Sequence, residues 1–479
     1  MQAECLSFDS ASVTIKDESS GHVERVDLPM RALAGGYYAN VMRMYDHLGI
    51  PYHPIRFLFS FVKALPARKP DAAAAAAAAA GGGATGEYFV HASNLHRIPP
   101  WPGSRGVLVH LIEVLYLIVC QFWFTVACLL VRPATDDDDE AETLDEYLRR
   151  VWLPRRYVTH YLLPLLSAVS TCSHDELLAF PASDVVDYKR LSQGRQHYTV
   201  CGGVHQVEGR LAREMRDVRL GVCVAQVAPT ADGRVRVRWQ RTGGGGGGGG
   251  GVEPAREDVF DRVVLAVSPD VAGKVFAPLR QTLGAIPTTR VESSVLRPAL
   301  HSAAAAAASG HHHQAFTVVD DDDESGLPRA CSHHRGTAIP PQLICLRTDF
   351  AAGGGGQTEA LHTMPGGAVV VTCPLDPGRA DAKRVLRTAR FTRTLRTAES
   401  RAVVRRIMGE SGGPDKKTDA AAGAAPPPAW VNGQDNVWLA GAWCWDGMVL
   451  LEGCLVSAMR VADDFGVNVP WRAGVARAG

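Results

Sequence analysis

The stretch that decides the reading is Asn436 to Gly466, NVWLAGAWCWDGMVLLEGCLVSAMRVADDFG. A short apolar strand, Val437 to Ala440, meets Gly441. After a turn, Leu451, Cys454, Leu455, Ala458 and Val461 recur at helical spacing. A strand that ends in glycine against a helix N-terminus lets backbone amides come close to a phosphate or a ligand carbonyl. From the pattern alone, a plain strand–turn–helix accounts for the stretch equally well.

Working outward, the apolar run Val263 to Val267 has a buried-strand pattern and is closed by Ser268-Pro269. Upstream, VRLGVCVAQV (Val218 to Val227) and RVRVRW (Arg234 to Trp239) alternate as two antiparallel strands, with a turn at Ala231-Asp232-Gly233. Gly202-Gly203 opens a helix with Val204, Val207, Leu211 and Met215 on one side. Thr143-Leu-Asp-Glu146 and Ser173-His-Asp-Glu176 both have capping-box form, and Pro181 stops the second helix. Helices alternate with strands, so the class is α/β with an antiparallel element attached.

At 479 residues the chain exceeds one typical core, and two or three domains are expected. Lys+Arg and Asp+Glu are both 50, which leaves no field that favours nucleic acid. Low-complexity tracts interrupt the chain at Ala72–Ala80, Asp136–Asp139, Gly243–Gly251, Ala303–Ala308, Asp320–Glu324, Gly353–Gly356 and Ala420–Pro428. They read as loop expansions, because they have little apolar surface to bury. His311 to His313 sit in one such insert and read as a solvated run, so no metal site is expected. The 11 cysteines contain no C-x-x-C and imply neither a disulfide framework nor a zinc ribbon. A reducing, intracellular compartment is expected. The first residues lack the basic and apolar regions of a signal peptide.

Val114 to Val131, VLYLIVCQFWFTVACLLV, holds one polar amide and no charge. Eighteen such residues reach the lower limit for a membrane-spanning helix. A buried helix, a helix dipping into one leaflet, or the wall of a hydrophobic tunnel are the other readings. Both flanks read as parts of one folded unit, which favours membrane association without a crossing.

Four stretches together resemble the FAD-dependent amine-oxidase/phytoene-desaturase superfamily, and within it a group of uncharacterised predicted NAD/FAD-binding proteins. They are Val26 to Pro54, Tyr198 to Val227, Phe260 to Pro269 and the C-terminal stretch, which has the form N-V-[WY]-x-x-G-A followed by D-G-[LM]. The resemblance implies an FAD/NAD(P)-binding Rossmann-like domain with an inserted mixed α+β substrate domain and one strongly apolar helix. Residues 1–200 would be mainly substrate domain, including the apolar helix 107–131. Residues 201–290 and 431–479 would belong to the FAD domain, and 291–430 to the substrate domain.

By the same resemblance, Val224 would bracket the adenine, and Gly441 with Ala442 would lie beside the pyrophosphate and ribityl chain. Asp446, Gly447 and Met448 would approach the flavin N1/O2 edge, where a helix N-terminus stabilises developing negative charge. Trp443 and Trp445 would wall the flavin or simply pack. Cys444 does not match the family's covalent attachment position. Tyr37, Tyr38, Lys189 and His197 are conceivable site residues, with core or surface roles more common for each. No catalytic base is identified.

Two departures stand out. The strand and G-x-G-x-x-G that open the family fold are not found, which is expected to weaken FAD binding. Ala442 also stands where many relatives place an acidic residue. The expected function is transfer of hydride to flavin N5 from the C–H of an amine or of a hydrophobic lipid or polyene substrate. The alternative is a non-catalytic membrane-associated protein, or a fragment, that keeps the fold without binding FAD tightly.

Overall fold

The computed structural model describes residues 2–3, 11–17, 23–29, 31–64, 87–92, 106–134, 141–241, 254–297, 316–319, 342–350, 355–376, 384–409 and 430–472. The low-complexity tracts and His311 to His313 lie outside these residues, apart from Gly355 and Gly356. The architecture is mixed α/β.

The largest sheet has seven strands in the order Val385–Thr394, Thr288–Leu296, Val369–Thr372, Gly356–Thr363, Gln342–Phe350, Phe57–Lys63, Glu87–Ala92. Every pairing in it is antiparallel except that of Gln342–Phe350 with Phe57–Lys63. Alternating apolar residues such as Phe57, Phe61 and Leu346 point from this sheet into a core shared with Leu144, Tyr147, Leu163 and Leu177 of the helices above it. Both predicted capping boxes form there. Thr143 accepts from Glu146 N and Ser173 from Glu176 N, while each glutamate reaches back to its cap.

The apolar segment is a helix, Val107–Leu130, of 24 residues. It packs one stripe on this core, from His110 and Glu113 through Cys120 and Phe124 to Ala127 and Cys128.

A second core joins Val227, Val235 and Leu265 to Leu279, Val404, Leu439 and Trp443. Here the expected hairpin forms: Val222–Pro229 pairs antiparallel with Val235–Arg241. The predicted strand at Val263 to Val267 is shorter, Val263–Leu265, and pairs in parallel with Val437–Leu439. Its pattern is one-sided, with Leu265 buried in the second core and Val264, on the opposite face, 41 % exposed. Ser268 and Pro269 do end the strand and open a helix, Pro269–Val275.

The helix after Gly202-Gly203 is also shorter than expected, His205–Ala212, and Met215 is exposed. The residues after Ala212 are mostly charged and give a continuing helix nothing apolar to bury. Gly203 has φ +92°, and a β-carbon there would press on Arg25 Cγ at 2.6 Å, so glycine is required where this turn crosses the neighbouring strand. Cys201 is disulfide-bonded, and the other cysteines among the described residues are thiols.

The capping boxes give a direct test. Thr143→Ala and Ser173→Ala each leave helix N–H groups without an acceptor, and each should cost about 1 kcal/mol in denaturant unfolding. Changes below the error of the measurement would show that neighbouring water or backbone replaces the caps.

Candidate functional site

The site is built at the carboxyl ends of the two parallel strands. Val263↔Val437 through Leu265↔Leu439 are in register, and Ala440 N extends the ladder to Leu265 O at 3.2 Å. Past the strand Gly441 adopts φ +149°, a conformation that side-chain-bearing residues rarely adopt. A β-carbon there would meet only the Trp443 ring, at 3.4 Å. The Trp443 indole N–H donates to Val267 O at 2.9 Å and so ties the ends of both strands together. At the same edge, Ser268 Oγ and Asp270 Oδ1 are buried without a hydrogen-bond partner. In open α/β sheets the groove outside the carboxyl ends of parallel strands is where ligands bind.

The turn that follows is held by a buried arginine. Arg396, 1 % exposed, donates through Nη2 to the carbonyls of Trp443, Trp445 and Gly447 at 3.3, 2.7 and 3.2 Å. Its Nε stands 3.8 Å from Asp184, and Arg401 Nη1 stands 3.7 Å from the same carboxylate. These are ion pairs without hydrogen bonds, since neither Asp184 oxygen has a hydrogen-bonding partner. Burial pushes the Asp184 carboxyl up to about 6, against the pull of both arginines. Asp446 has the opposite balance. Burial opposes its ionisation, but the bond from Arg401 and the charges of Arg401, Arg405 and Arg396 hold it below the usual carboxylate range. Arg401 Nε lies 2.5 Å from Asp446 and Arg405 Nη2 lies 3.1 Å from it.

The C-terminal helix, Leu451–Asp464, has no side-chain cap at Leu450. The Trp445 indole lies across its first turn, so that a β-carbon at Gly453 would collide with the ring and would stand 2.7 Å from Ala442 O. Trp445 Nε1 donates to Met448 O at 3.0 Å, and Tyr37 OH donates to the same carbonyl at 3.3 Å. Glu452 turns away from its own helix to cap another one, Ala39–Leu48. It accepts from Asn40 N at 2.9 Å, Asn40 Nδ2 at 2.7 Å and Val41 N at 3.2 Å. That helix has no cap of its own at Tyr38, and an anion at a helix N-terminus is favourable. Burial raises the Glu452 carboxyl, and these bonds oppose the rise.

The six residues expected to hold FAD fall into three settings. Val224, opposite Trp239 in the hairpin, and Ala442 both lean on the second core, beside the strand end that carries Gly441. Asp446 lies in the arginine cluster, and Gly447 gives its carbonyl to Arg396. Met448 is buried in a third core with Tyr37, Tyr38, Val41 and Leu450. Of the conceivable site residues, Tyr37 and Tyr38 therefore reach the C-terminal turn. His197 sits beside Phe57, 6.0 Å between rings, and Lys189 lies near the Cys128 thiol of the apolar helix. Cys444 is a fully buried free thiol, pushed well up by burial. Arg396, Asp184 and Glu452 are the residues that sequence reading missed. Each looks like an ordinary charged residue of a helix or helix start, and only their partners distant in sequence distinguish them.

FAD fits these residues at one end. Gly441 ends one of the two paired strands, and past the end of the other Ser268 Oγ and Asp270 Oδ1 are buried polar atoms without hydrogen-bond partners, which suit the hydroxyls of a ribose or ribityl chain. The Gly441 N–H itself donates to Ser457 Oγ at 2.9 Å, so that hydroxyl must rotate before the amide can serve a ligand. At the other end Trp445 and the carbonyls held by Arg396 fill the approach to the helix N-terminus.

No family model matches the sequence, and no curated protein does. Among solved structures the chain is similar to cyclohexylamine oxidase from Brevibacterium oxydans IH-35A, at 10 % identity over 97 % of this chain and 93 % of that one, with a TM-score of 0.47. It is also similar to putrescine oxidase bound to putrescine, at 11 % identity over 97 % and 92 % of the two chains, with a TM-score of 0.44. At these values neither fold nor activity follows from the likeness.

Two outcomes are expected here. Arg396→Met leaves three interior carbonyls without their donor and Asp184 with only its 3.7 Å contact to Arg401, and should destabilise the fold by about 3–5 kcal/mol in urea titration. A loss under about 1 kcal/mol would mean that the turn holds itself. The second concerns pH. Asp184 has a folded value of about 6 against an ordinary 3.8, so its contribution is present at low pH and is lost as pH rises through 6. The stability of Asp184→Asn minus that of wild type should therefore increase between these two values, read by melting temperature. A flat difference would place the Asp184 carboxyl at its ordinary value.

Proposed function

We propose that the chain is an FAD-dependent oxidoreductase of the amine-oxidase type, with the cofactor's adenine at Val224 and its pyrophosphate and ribityl portion at Gly441 and Ala442. The observation that carries this is the parallel pairing of Val263–Leu265 with Val437–Leu439. It joins segments far apart in sequence, and past the second strand stands a glycine at φ +149° whose added β-carbon would meet the Trp443 ring at 3.4 Å. The hairpin that bears Val224 packs on the same core.

A bound flavin supplies the acceptor for hydride from a C–H bond beside an amine or in a hydrophobic chain. The protein's part is orientation and exclusion of water. Trp443 braces the strand ends, and Tyr37 and Tyr38 line the buried side of the C-terminal turn. Burial drives both tyrosine hydroxyls far above their ordinary range, so each remains a neutral phenol at physiological pH.

One observation favours a second reading, a non-catalytic protein that retains the arrangement. Trp445, against Gly453, fills the first turn of the C-terminal helix. The two readings separate by measurement. Purified protein is incubated with FAD, unbound cofactor is removed, and flavin is quantified after denaturation. Gly441→Val should lower occupancy by about tenfold or more, because the added side chain intrudes on a close backbone approach. Trp445→Ala should raise it by clearing the helix N-terminus. Absence of flavin from wild type and Trp445→Ala alike would select the non-catalytic reading.

A further inference from the structure

The apolar helix Val107–Leu130 carries a second, independent message. At 24 residues it is about 36 Å long, enough to cross a bilayer. Yet one stripe of it, from His110 to Cys128, is buried against the body of the protein along the whole length. Polar bonds fasten the same side at several levels. Glu113 accepts from Arg156 at 2.7 Å and from Tyr161. Tyr157 OH donates to Gln121 at 2.5 Å, and Trp123 Nε1 donates to Val151 O at 2.7 Å. A helix fastened end to end on a globular body cannot also stand across a membrane unless that body enters the hydrocarbon.

The opposite face is exposed and apolar. Leu115, Ile118 and Phe122 are 60 to 68 % exposed, and Leu108 and Leu130 extend the face to both ends. Its polar groups are few, and most are engaged: Thr125 Oγ1 donates to Gln121 O at 2.8 Å, and Gln121 Oε1 accepts from Tyr157. A protein interface of this extent would carry on the order of ten hydrogen bonds, and this face has almost nothing left to form them. Hydrocarbon asks for none.

The border matches a lipid surface too. The segment Val151–Tyr157, tied to the helix through Val151 and Tyr157, presents Trp152 with 86 % of its surface exposed. Trp152 has φ +58°, an uncommon conformation for a bulky residue, and the turn so formed places the indole in solvent. Arg155 on this segment and Arg132 beyond the helix end have no acidic partner among the described residues, and can meet headgroup phosphates. Indole and guanidinium beside an apolar face are the usual side chains of a membrane interface.

We propose that this face is a membrane-docking surface: the helix lies in the plane of one leaflet with Leu115, Ile118 and Phe122 in the acyl region, and does not cross the bilayer. The surface is independent of cofactor binding, so failure of either proposal leaves the other standing.

The full chain is mixed with preformed vesicles of phosphatidylcholine and phosphatidylglycerol and floated on a density gradient. Wild type should float with the vesicles. The triple variant Leu115→Ser, Ile118→Ser, Phe122→Ser should bind on the order of a hundredfold more weakly. Because all three side chains are exposed, circular dichroism and melting temperature should be unchanged; a variant that misfolds is replaced by the single change Phe122→Ser. Topology is read with Gly106→Cys and Ala134→Cys, one beyond each helix end, using a membrane-impermeant maleimide and peptide mapping. Labelling of both from outside sealed vesicles supports the in-plane helix, and protection of one overturns it. A wild type that stays monomeric and does not float overturns the docking surface. A stable dimer dissolved by the serine substitutions, with no flotation, assigns the face to a second copy and overturns it equally.

Discussion

Much of the C-terminal arrangement depends on one buried guanidinium. Arg396 follows the strand Val385–Thr394 of the large sheet and precedes the helix Ala398–Ile407 of the second core. From there it reaches three carbonyls of a turn that has no regular backbone pairing of its own. Carbonyls turned inward without partners would be costly, and a single planar donor satisfies three of them. Charge in the interior then demands an anion, which Asp184 supplies from a helix in the first core. The cluster links the sheet, the helical layer and the C-terminal turn, and Asp446 and Arg401 extend it toward the surface. Its geometry favours placement over strength, since the Asp184 contacts are longer than hydrogen bonds.

The same accounting explains the helix contacts around it. Glu452 lies at the start of one helix and serves as the cap of another, so the C-terminal helix and Ala39–Leu48 are locked at their N-termini. Met448, Tyr37 and Leu450 then close the space between them. The turn from Gly441 to Leu450 is thus determined from outside itself, by Arg396 on one side and by the tyrosines on the other.

How much of this was legible depends on the range of the interaction. Capping boxes at Thr143 and Ser173, the hairpin around Asp232, and the stop at Ser268-Pro269 are set by residues within a few positions of one another, and each could be read directly. The parallel pairing of Val263–Leu265 with Val437–Leu439 was visible only as two apolar runs, because pairing partners leave no local trace. Element lengths were overestimated where apolar residues continued past the strand pairing, as at Ala266-Val267, or where charge cut a helix short, as after Ala212. At the candidate site the glycine at 441 was legible from its position after an apolar strand. Arg396, Asp184 and Glu452 were not, since a buried charge and a surface charge look alike until their partners are known.

Satisfied and unsatisfied polar atoms mark two different kinds of missing neighbour. On the apolar helix, Thr125 Oγ1, Gln121 Oε1 and Trp123 Nε1 are bonded within the protein, which leaves an outward face with little for water or a polar partner to bond. That pattern calls for an apolar medium. At the carboxyl ends of the parallel strands the opposite holds: Ser268 Oγ and Asp270 Oδ1 are buried without partners past the end of the strand that pairs with Val437–Leu439. Such atoms cost free energy wherever nothing completes them. A ligand carrying hydroxyl groups would complete both, and a hydrocarbon would not. The two surfaces therefore answer to different partners, and the core of Leu144, Tyr147 and Phe61 beneath the apolar helix, joined through Asp184 to Arg396, connects them within one fold.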